Sequence, residues 1–293
     1  MYAQDSESTM TPALSPAVPD EVTFCGKPIS LDRADMFERF DRELTSLVYS
    51  HSTTLLLLKR ANKYFPVMAP ILKANGIPED FLYLACVESS LNHRALSPAK
   101  AAGFWQFIPA TAKEYGLEVS DDVDERFDLE KSTLAACKFF KKAYARYGDW
   151  PTVMAAFNGG MARITKELGK QQQDTSFDIY LTEETSRYVF RIMALEYLFS
   201  DPARFGFILA PEQLYQPTDC DIVTVDGPIE DWSTWALEHG VSYAQLREEN
   251  PWIRAKEMTN KDNKTYTVKI PSKNSLYRST NNIKVFNDRW VKE

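Results

Sequence analysis

The sequence predicts a mainly α fold, an all-helical domain followed by a small β-α-α-β module, and three observations lead there. Apolar residues recur at helical spacing through most of residues 31–209, the pattern of helices with one buried face. Strand signals are nearly absent from that stretch. Beyond Pro211 the texture changes, and β-branched runs at 221–225 and 265–270 flank two short helical segments. The expected organisation is a leader or linker over 1–30, a helical domain over 31–209, the mixed module over 210–272 and a polar tail over 273–293.

In chain order, residues 1–22 mix Ser, Thr, Pro and acids without periodicity, the composition of a loose leader. Phe37, Phe40, Leu44 and Leu47 mark a first helix, and a second covers roughly 52–64. Pro66 and Pro70 are expected to break or restart it, because each removes a backbone donor and crowds the preceding turn. Pro78, Glu79 and Asp80 suit a first turn and Asn92 a stop, giving a helix over about 78–91. Further helices are expected over about 109–115, 129–147 closed by Gly148, 151–157, and 183–199 closed before Pro202. The helical segments of the module run from Trp232 to Glu238 and from Tyr243 to Glu249, and the residues from about Ser272 onward read as a solvated tail.

With 293 residues, 44% of them hydrophobic, the chain can bury a full core. Its 26% charged and 13% aromatic residues exclude extended disorder for most of its length. There are 34 Lys and Arg against 41 Asp and Glu, a net charge of -7. That argues against a nucleic-acid partner, whose phosphates call for clustered cations. The longest aliphatic run, Leu55 to Leu58, falls far short of a membrane span. His51, His93 and His239 form no HExxH, and Cys25, Cys86, Cys137 and Cys220 show no CxxC spacing, so no metal is expected. Phosphate-cradling glycine loops and a GxSxG elbow are also missing, and no cofactor is implied.

The chemistry offered by the pattern itself centres on Glu88. Seven, four and three residues before it and three after it stand Phe81, Leu84, Ala85 and Leu91, so its carboxyl lies on an apolar stripe. Leu82, Cys86 and Val87 widen that surface. Ionisation is costly in such a place, and a carboxylic acid kept protonated near neutrality is a general acid. The same pattern also fits a Glu paired with a buried Arg or capping a neighbouring helix, since structural ion pairs perturb pKa values too.

Around and beyond Glu88 stands an ordered set of segments: Glu88-Ser-Ser-Leu-Asn92, Ala95-Leu-Ser97, Ala102-Gly-Phe-Trp-Gln106, Ile108-Pro-Ala-Thr111, Ala155-Ala-Phe-Asn158-Gly159 and Glu184-Thr-Ser-Arg-Tyr188-Val189. The set resembles the lytic transglycosylase domain of the soluble-lytic-transglycosylase type, related in fold to goose-type lysozyme. Asp124-Glu-Arg-Phe-Asp128, leading into a helix that ends Arg146-Tyr-Gly-Asp-Trp-Pro151, resembles more closely the membrane-bound transglycosylase D group. The resemblance covers about residues 31–209 and implies a lysozyme-like catalytic domain acting on peptidoglycan glycan strands. The bond cut would be the β-1,4 link between N-acetylmuramic acid and N-acetylglucosamine, with the muramyl product closing into a 1,6-anhydro ring.

By the same resemblance Glu88 is the single acid/base, Ser97 and Gln106 line the cleft, and Phe157 and Asn158 belong to a turn beside the scissile bond. Glu184 and Tyr188, four apart on one helix face, point into the same groove, with Tyr188 near Glu88. Read without the family, Ser97 before Pro98 is a turn residue, Asn158 before Gly159-Gly160 a helix terminator, and Tyr188 core packing with Ile192 and Leu195. Two departures stand out: Phe157 replaces the family's Tyr and lacks its hydroxyl, and Phe104-Trp105 replaces Leu-Met. Trp105 either stacks on a sugar or packs the turn.

Two-carboxylate glycosidases place their acids roughly 5 to 9.5 Å apart, and Asp121, Asp122, Asp124 and Asp128 are the spare acids that would serve such a hydrolysis. Their simpler reading is a solvated loop and a helix N-terminus. Residues of about 215–272 resemble a degenerate LysM module, with Asp226-Gly-Pro-Ile229 where Gly-Asp-Thr-Leu is usual. LysM modules bind N-acetylglucosamine-containing glycans, and here glycan binding and a structural cap both remain open. Cys86 and Cys137 are expected to be buried and reduced, while Cys25 and Cys220 could be bridged in an oxidising envelope. A peptidoglycan substrate implies the periplasm or cell envelope, hence an export signal or anchor outside these residues and association with a membrane through it. The competing readings are a goose-type lysozyme, which hydrolyses the same bond, and a non-catalytic peptidoglycan binder.

Overall fold

The computed structural model describes residues 14–279 and 282–292, so the first part of the expected leader, residues 1–13, lies outside it. The remainder of that leader is not a linker. Strands β1 (Glu21–Phe24) and β2 (Lys27–Ser30) form an antiparallel hairpin with Val22 opposite Ile29. Cys25 and Gly26 both take positive φ, 50° and 74°, as a two-residue turn that matches strand twist requires. Val22 and Phe24 alternate inward and join the main core.

Helix α1 (Ala34–Tyr49) buries Met36, Phe40 and Leu44, close to the predicted stripe. It also buries Glu43, 1% exposed, against Arg187 at 2.6 Å and Arg191 at 3.1 Å. Helix α2 (His51–Ala74) runs unbroken through Pro66 and Pro70, against expectation. An interior proline costs about 3 kcal/mol, but both prolines face solvent, where water can satisfy the carbonyls they leave open. The opposite face buries Phe65, Met68, Ala69 and Leu72, and that burial outweighs the loss.

Helix α3 (Phe81–Ser89) is followed by α4 (Pro109–Glu114), α5 (Leu129–Tyr147), α6 (Trp150–Gly159), α7 (Met161–Gln171) and α8 (Glu183–Ser200). The Asp128 side chain accepts from the Lys131 N–H at the start of α5, and Gly148, at φ 63°, ends it. Asp149 caps α6 in the same way. Helix α8 packs on α1, α3 and α6, and so brings residues from three parts of the sequence to one place.

Strands β3 (Cys220–Val225) and β4 (Tyr266–Pro271) pair antiparallel, Val223 opposite Val268, around α9 (Trp232–Glu238) and α10 (Tyr243–Glu249). Trp232, Leu246, Ile253 and Val268 form a second core. It is not separate from the first, because Val123, from the loop before α5, is one of its members. Asp124 N–H donates to the Trp252 carbonyl at 2.9 Å, Arg254 N–H to the Asp122 carbonyl at 2.8 Å, and Lys269 pairs with Glu130.

The C-terminal segment is not a solvated tail either. Trp290 is buried among Phe65, Phe199 and Phe286 and donates its indole N–H to the Phe199 carbonyl at 2.9 Å. Asn62 on α2 binds the Lys284 carbonyl and the Phe286 N–H. All four cysteines are free: Cys86 and Cys137 are buried, and the bridge considered for Cys25 and Cys220 is not formed. Cys25 N–H donates to Asp80, while the Cys220 thiol sits 3.6 Å from the Thr218 carbonyl. No helix among the described residues is long and apolar enough to cross a membrane.

Candidate active site

Glu88 occupies the last turn of α3, among the unpaired carbonyls that make a helix C-terminus negative and disfavour a carboxylate there. The chain then turns sharply, with Ser90 and Leu91 in left-handed conformations at φ 51° and 52°. Three hydrogen bonds hold this exit: Ser90 N–H to Cys86 O at 2.8 Å, Ser89 Oγ to Ala85 O at 3.1 Å, and an Arg60 guanidinium N–H to Ser90 O at 2.9 Å. The Glu88 side chain is half-buried, and it accepts a short hydrogen bond from the Tyr188 hydroxyl of α8. Burial pushes its pKa up to about 7; the Tyr188 bond opposes that rise and the charge of Glu184 adds to it. Among the described residues Glu88 has no arginine partner; its hydrogen-bond partner is Tyr188.

A loop spanning 95–107 carries two more of the expected residues. Ser97 closes a turn, its hydroxyl accepting from the Ala101 N–H at 3.0 Å. Gln106 has φ 49°, and its amide NH2 donates to the Gly103 carbonyl at 2.8 Å, leaving the amide oxygen to accept a hydroxyl. Gly103 is required where it stands: its φ is 75°, and a Cβ there would come 1.8 Å from the Arg126 carbonyl oxygen. Trp105 is fully buried, donates to Thr133 Oγ1 at 3.0 Å and meets Phe140 edge-on, so its indole packs the turn.

Arg126 anchors the whole loop from behind. It forms a bidentate pair with Asp124, at 2.8 and 2.6 Å, while its third nitrogen donates to the carbonyls of Phe107 and Lys100 at 3.0 and 2.6 Å. Neither Arg126 nor Arg60 stood out in the sequence as a site residue. The alternation of acids and Arg in residues 124–128 was the only signal for Arg126, and nothing local marks Arg60, whose target is thirty residues away.

Tyr188 is buried and Glu184, one turn earlier on α8, is exposed. Asn158, in the last turn of α6, is half-buried, and its side chain makes no hydrogen bond among the described residues. Phe157 packs its ring against Phe107, Phe139 and Phe140 at 5.0 to 5.6 Å, within the hydrophobic interior. Of the spare acids, Asp122 accepts from Thr259, Asp124 is held by Arg126 and Asp128 caps α5. Among the described residues no group of three His, Cys, Asp or Glu is arranged to hold a metal ion.

Residues 67–179 match the family described as the transglycosylase SLT domain, and residues 221–274 match the soluble lytic transglycosylase C-terminal LysM-like domain. Membrane-bound lytic murein transglycosylase D of Escherichia coli K12 is 33% identical over 174 residues, 58% of this chain and 38% of that protein. A protein of Alteromonas sp. strain M-1 named for tributyltin chloride resistance is 30% identical over 122 residues, 41% of this chain and 59% of its own. The match therefore spans less than two thirds of either relative. The 70 kDa soluble lytic transglycosylase of Escherichia coli superimposes with a TM-score of 0.39 at 21% identity, over 48% of this chain and 25% of that one, too loosely to support any inference. Residues 67–179 thus carry a transglycosylase SLT domain and residues 221–274 a LysM-like domain of the soluble-lytic-transglycosylase type.

Proposed function

We propose that the protein is a peptidoglycan lytic transglycosylase of the cell envelope with Glu88 as its single acid/base. The observation that carries this reading is the state of Glu88: a half-buried carboxyl with a pKa near 7, steadied by one hydroxyl, within the segment that matches the SLT family. Such a group is protonated often enough to donate and, once ionised, basic enough to take a proton back. In the first step Glu88 gives its proton to the glycosidic oxygen as the bond to the muramyl C1 breaks. In the second, the muramyl C6 hydroxyl attacks C1 and returns a proton to Glu88, so a 1,6-anhydro ring forms and no water is consumed. The attacking hydroxyl is already tethered, and such reactions reach effective molarities of about 10⁵ to 10⁸ M, which removes the need for a second activating carboxylate.

Gln106 and Asn158 offer polar atoms to the sugars, and Ser97 shapes the loop that carries Gln106. Phe157 serves this site through packing. The LysM-like module is proposed to add a contact to N-acetylglucosamine. Hydrolysis is the competing chemistry, and the observation in its favour is Glu184, whose charge reaches Glu88. Mass spectrometry of muropeptides released from purified peptidoglycan decides between them. Products one water lighter than hydrolysed ones, absent with Glu88→Gln, are expected. Ordinary reducing ends would replace the transglycosylase reading with a lysozyme, and binding without any product would leave a glycan-binding protein.

A further inference from the structure

We propose that a cavity between α2 and the C-terminal segment binds the acidic peptide stem that peptidoglycan carries on its muramyl residues, an inference that rests on the function proposed above. The cavity has a volume of about 930 Å³, enough for a ligand of several residues. Lys59, Arg60 and Lys63 of α2 form one wall and Arg278 contributes from across it. Lys63 has a carboxylate partner, Glu249 at 3.5 Å. Lys59, Arg60 and Arg278 have none among the described residues: Lys59 lies over the Tyr215 ring, Arg60 donates to the Ser90 carbonyl and Arg278 to the Glu212 carbonyl. Two carboxylates also line the cavity: Glu248 is taken by Arg94 and His93, and Glu212 has no ion pair among the described residues.

Four Lys and Arg side chains against two carboxylates around one cavity run against a net charge of -7 for the chain, and that local excess favours an anionic ligand. Carboxylates suit it, because guanidinium and ammonium groups bind them with charge-assisted hydrogen bonds. The position selects which carboxylates. Leu91 and Asn92, three and four residues past Glu88, are part of the wall, and Arg60 touches both the cavity and the turn that follows Glu88. A stem attached to a muramyl sugar at Glu88 would reach this cavity past the turn of Ser90 and Leu91. Tyr64 and Tyr215, which also line it, give apolar contact that a bare inorganic anion would not use.

The test compares glycan strands carrying stems with strands stripped of them by an amidase, using the full chain and the double variant Lys59→Glu/Arg278→Glu. Arg60 is left intact because it supports the Glu88 turn. The variant is expected to lose about tenfold more kcat/KM on stemmed than on stripped strands. Calorimetric titration with a synthetic, sugar-free stem peptide should show binding to the wild-type chain that the variant lacks. Equal losses on both strands together with no peptide binding would overturn the proposal while leaving the enzyme reading intact. Peptide binding in a chain that cleaves neither strand would support the cavity and sink the enzyme. Sulfate binding as tightly as the peptide would show a general anion site and overturn the assignment.

Discussion

Glu88 is where burial, a helix end and one hydroxyl compete, and that competition has consequences in pH. In the mechanism proposed for Glu88 the carboxyl must be protonated to start the reaction, so kcat should fall as pH rises through about 7. Tyr188 favours the charged form by donating to it. Tyr188→Phe should therefore move that limb to higher pH, visible in a pH–rate profile, and an unmoved limb would deny the contact its role. The same shift has a stability side. A folded pKa of about 7 above an ordinary 4.5 means that the neutral form stabilises the fold fully below the unfolded value, and that this stabilisation is lost as pH rises through 7. Glu88→Gln does not titrate, so at pH 8 it should be more stable than wild type by about 1 to 3 kcal/mol, discounted for partial exposure. The melting difference should vanish near pH 4. At this scale the sequence was informative: an acid on an apolar stripe predicted a raised pKa, and the fit to a family supplied Tyr188. What it could not supply was Arg60 or Arg126, because each acts through a backbone carbonyl distant in sequence, and a pattern of side-chain types carries no record of that.

The loop of residues 95–107 depends on elements it does not belong to. Its Gly103 faces the Arg126 carbonyl with no room for a methyl group, and Arg126 holds two of its carbonyls. Arg126→Ala leaves Asp124 buried without its partner, which costs roughly 3 to 5 kcal/mol. Thermal or urea unfolding should show that loss, and activity measured well below the transition should fall as well because Gln106 loses its support. Gly103→Ala should reproduce both effects, whereas a change at exposed Lys113 should do neither. Helices with strong caps and stripes, such as α5 between Asp128 and Gly148, were readable in advance because their signals are local. Helix α2 was not, since the expectation weighed two prolines and not the face opposite them. Helix α7 begins directly after Gly159-Gly160, a pair that reads as a terminator, and buries only Ile164. The β1–β2 hairpin turns on Cys-Gly and not on a recognisable Asn-Gly, so its four-residue strands passed for linker.

Across the molecule, the C-terminal segment completes the first core, and the second core is joined to it through the loop before α5. Trp290 returns from the C-terminus to lie among Phe65, Phe199 and Phe286; Trp290→Ala should cost about 3 to 5 kcal/mol, or some 2 to 4 °C of melting temperature per kcal/mol. The LysM-like module is attached more intimately still. Val123 belongs to its core, the neighbouring Asp124 N–H is bonded to its Trp252 carbonyl, and the Asp124 carboxylate is the one that orients Arg126. The module therefore braces, through Asp124 and Arg126, the same loop that presents Gln106. A module whose task were only to hold distant glycan would affect long strands and leave short ones alone. Deleting residues 221–274 and bridging the gap should instead lower kcat on a short soluble muropeptide that never reaches the module. Val123→Asp in the intact chain should lower it in the same sense, by unseating the contact without removing any glycan-binding surface. If both variants cleave the short substrate at the wild-type rate and fail only on whole peptidoglycan, the module acts as a tether and the brace through Arg126 is without consequence for the chemistry.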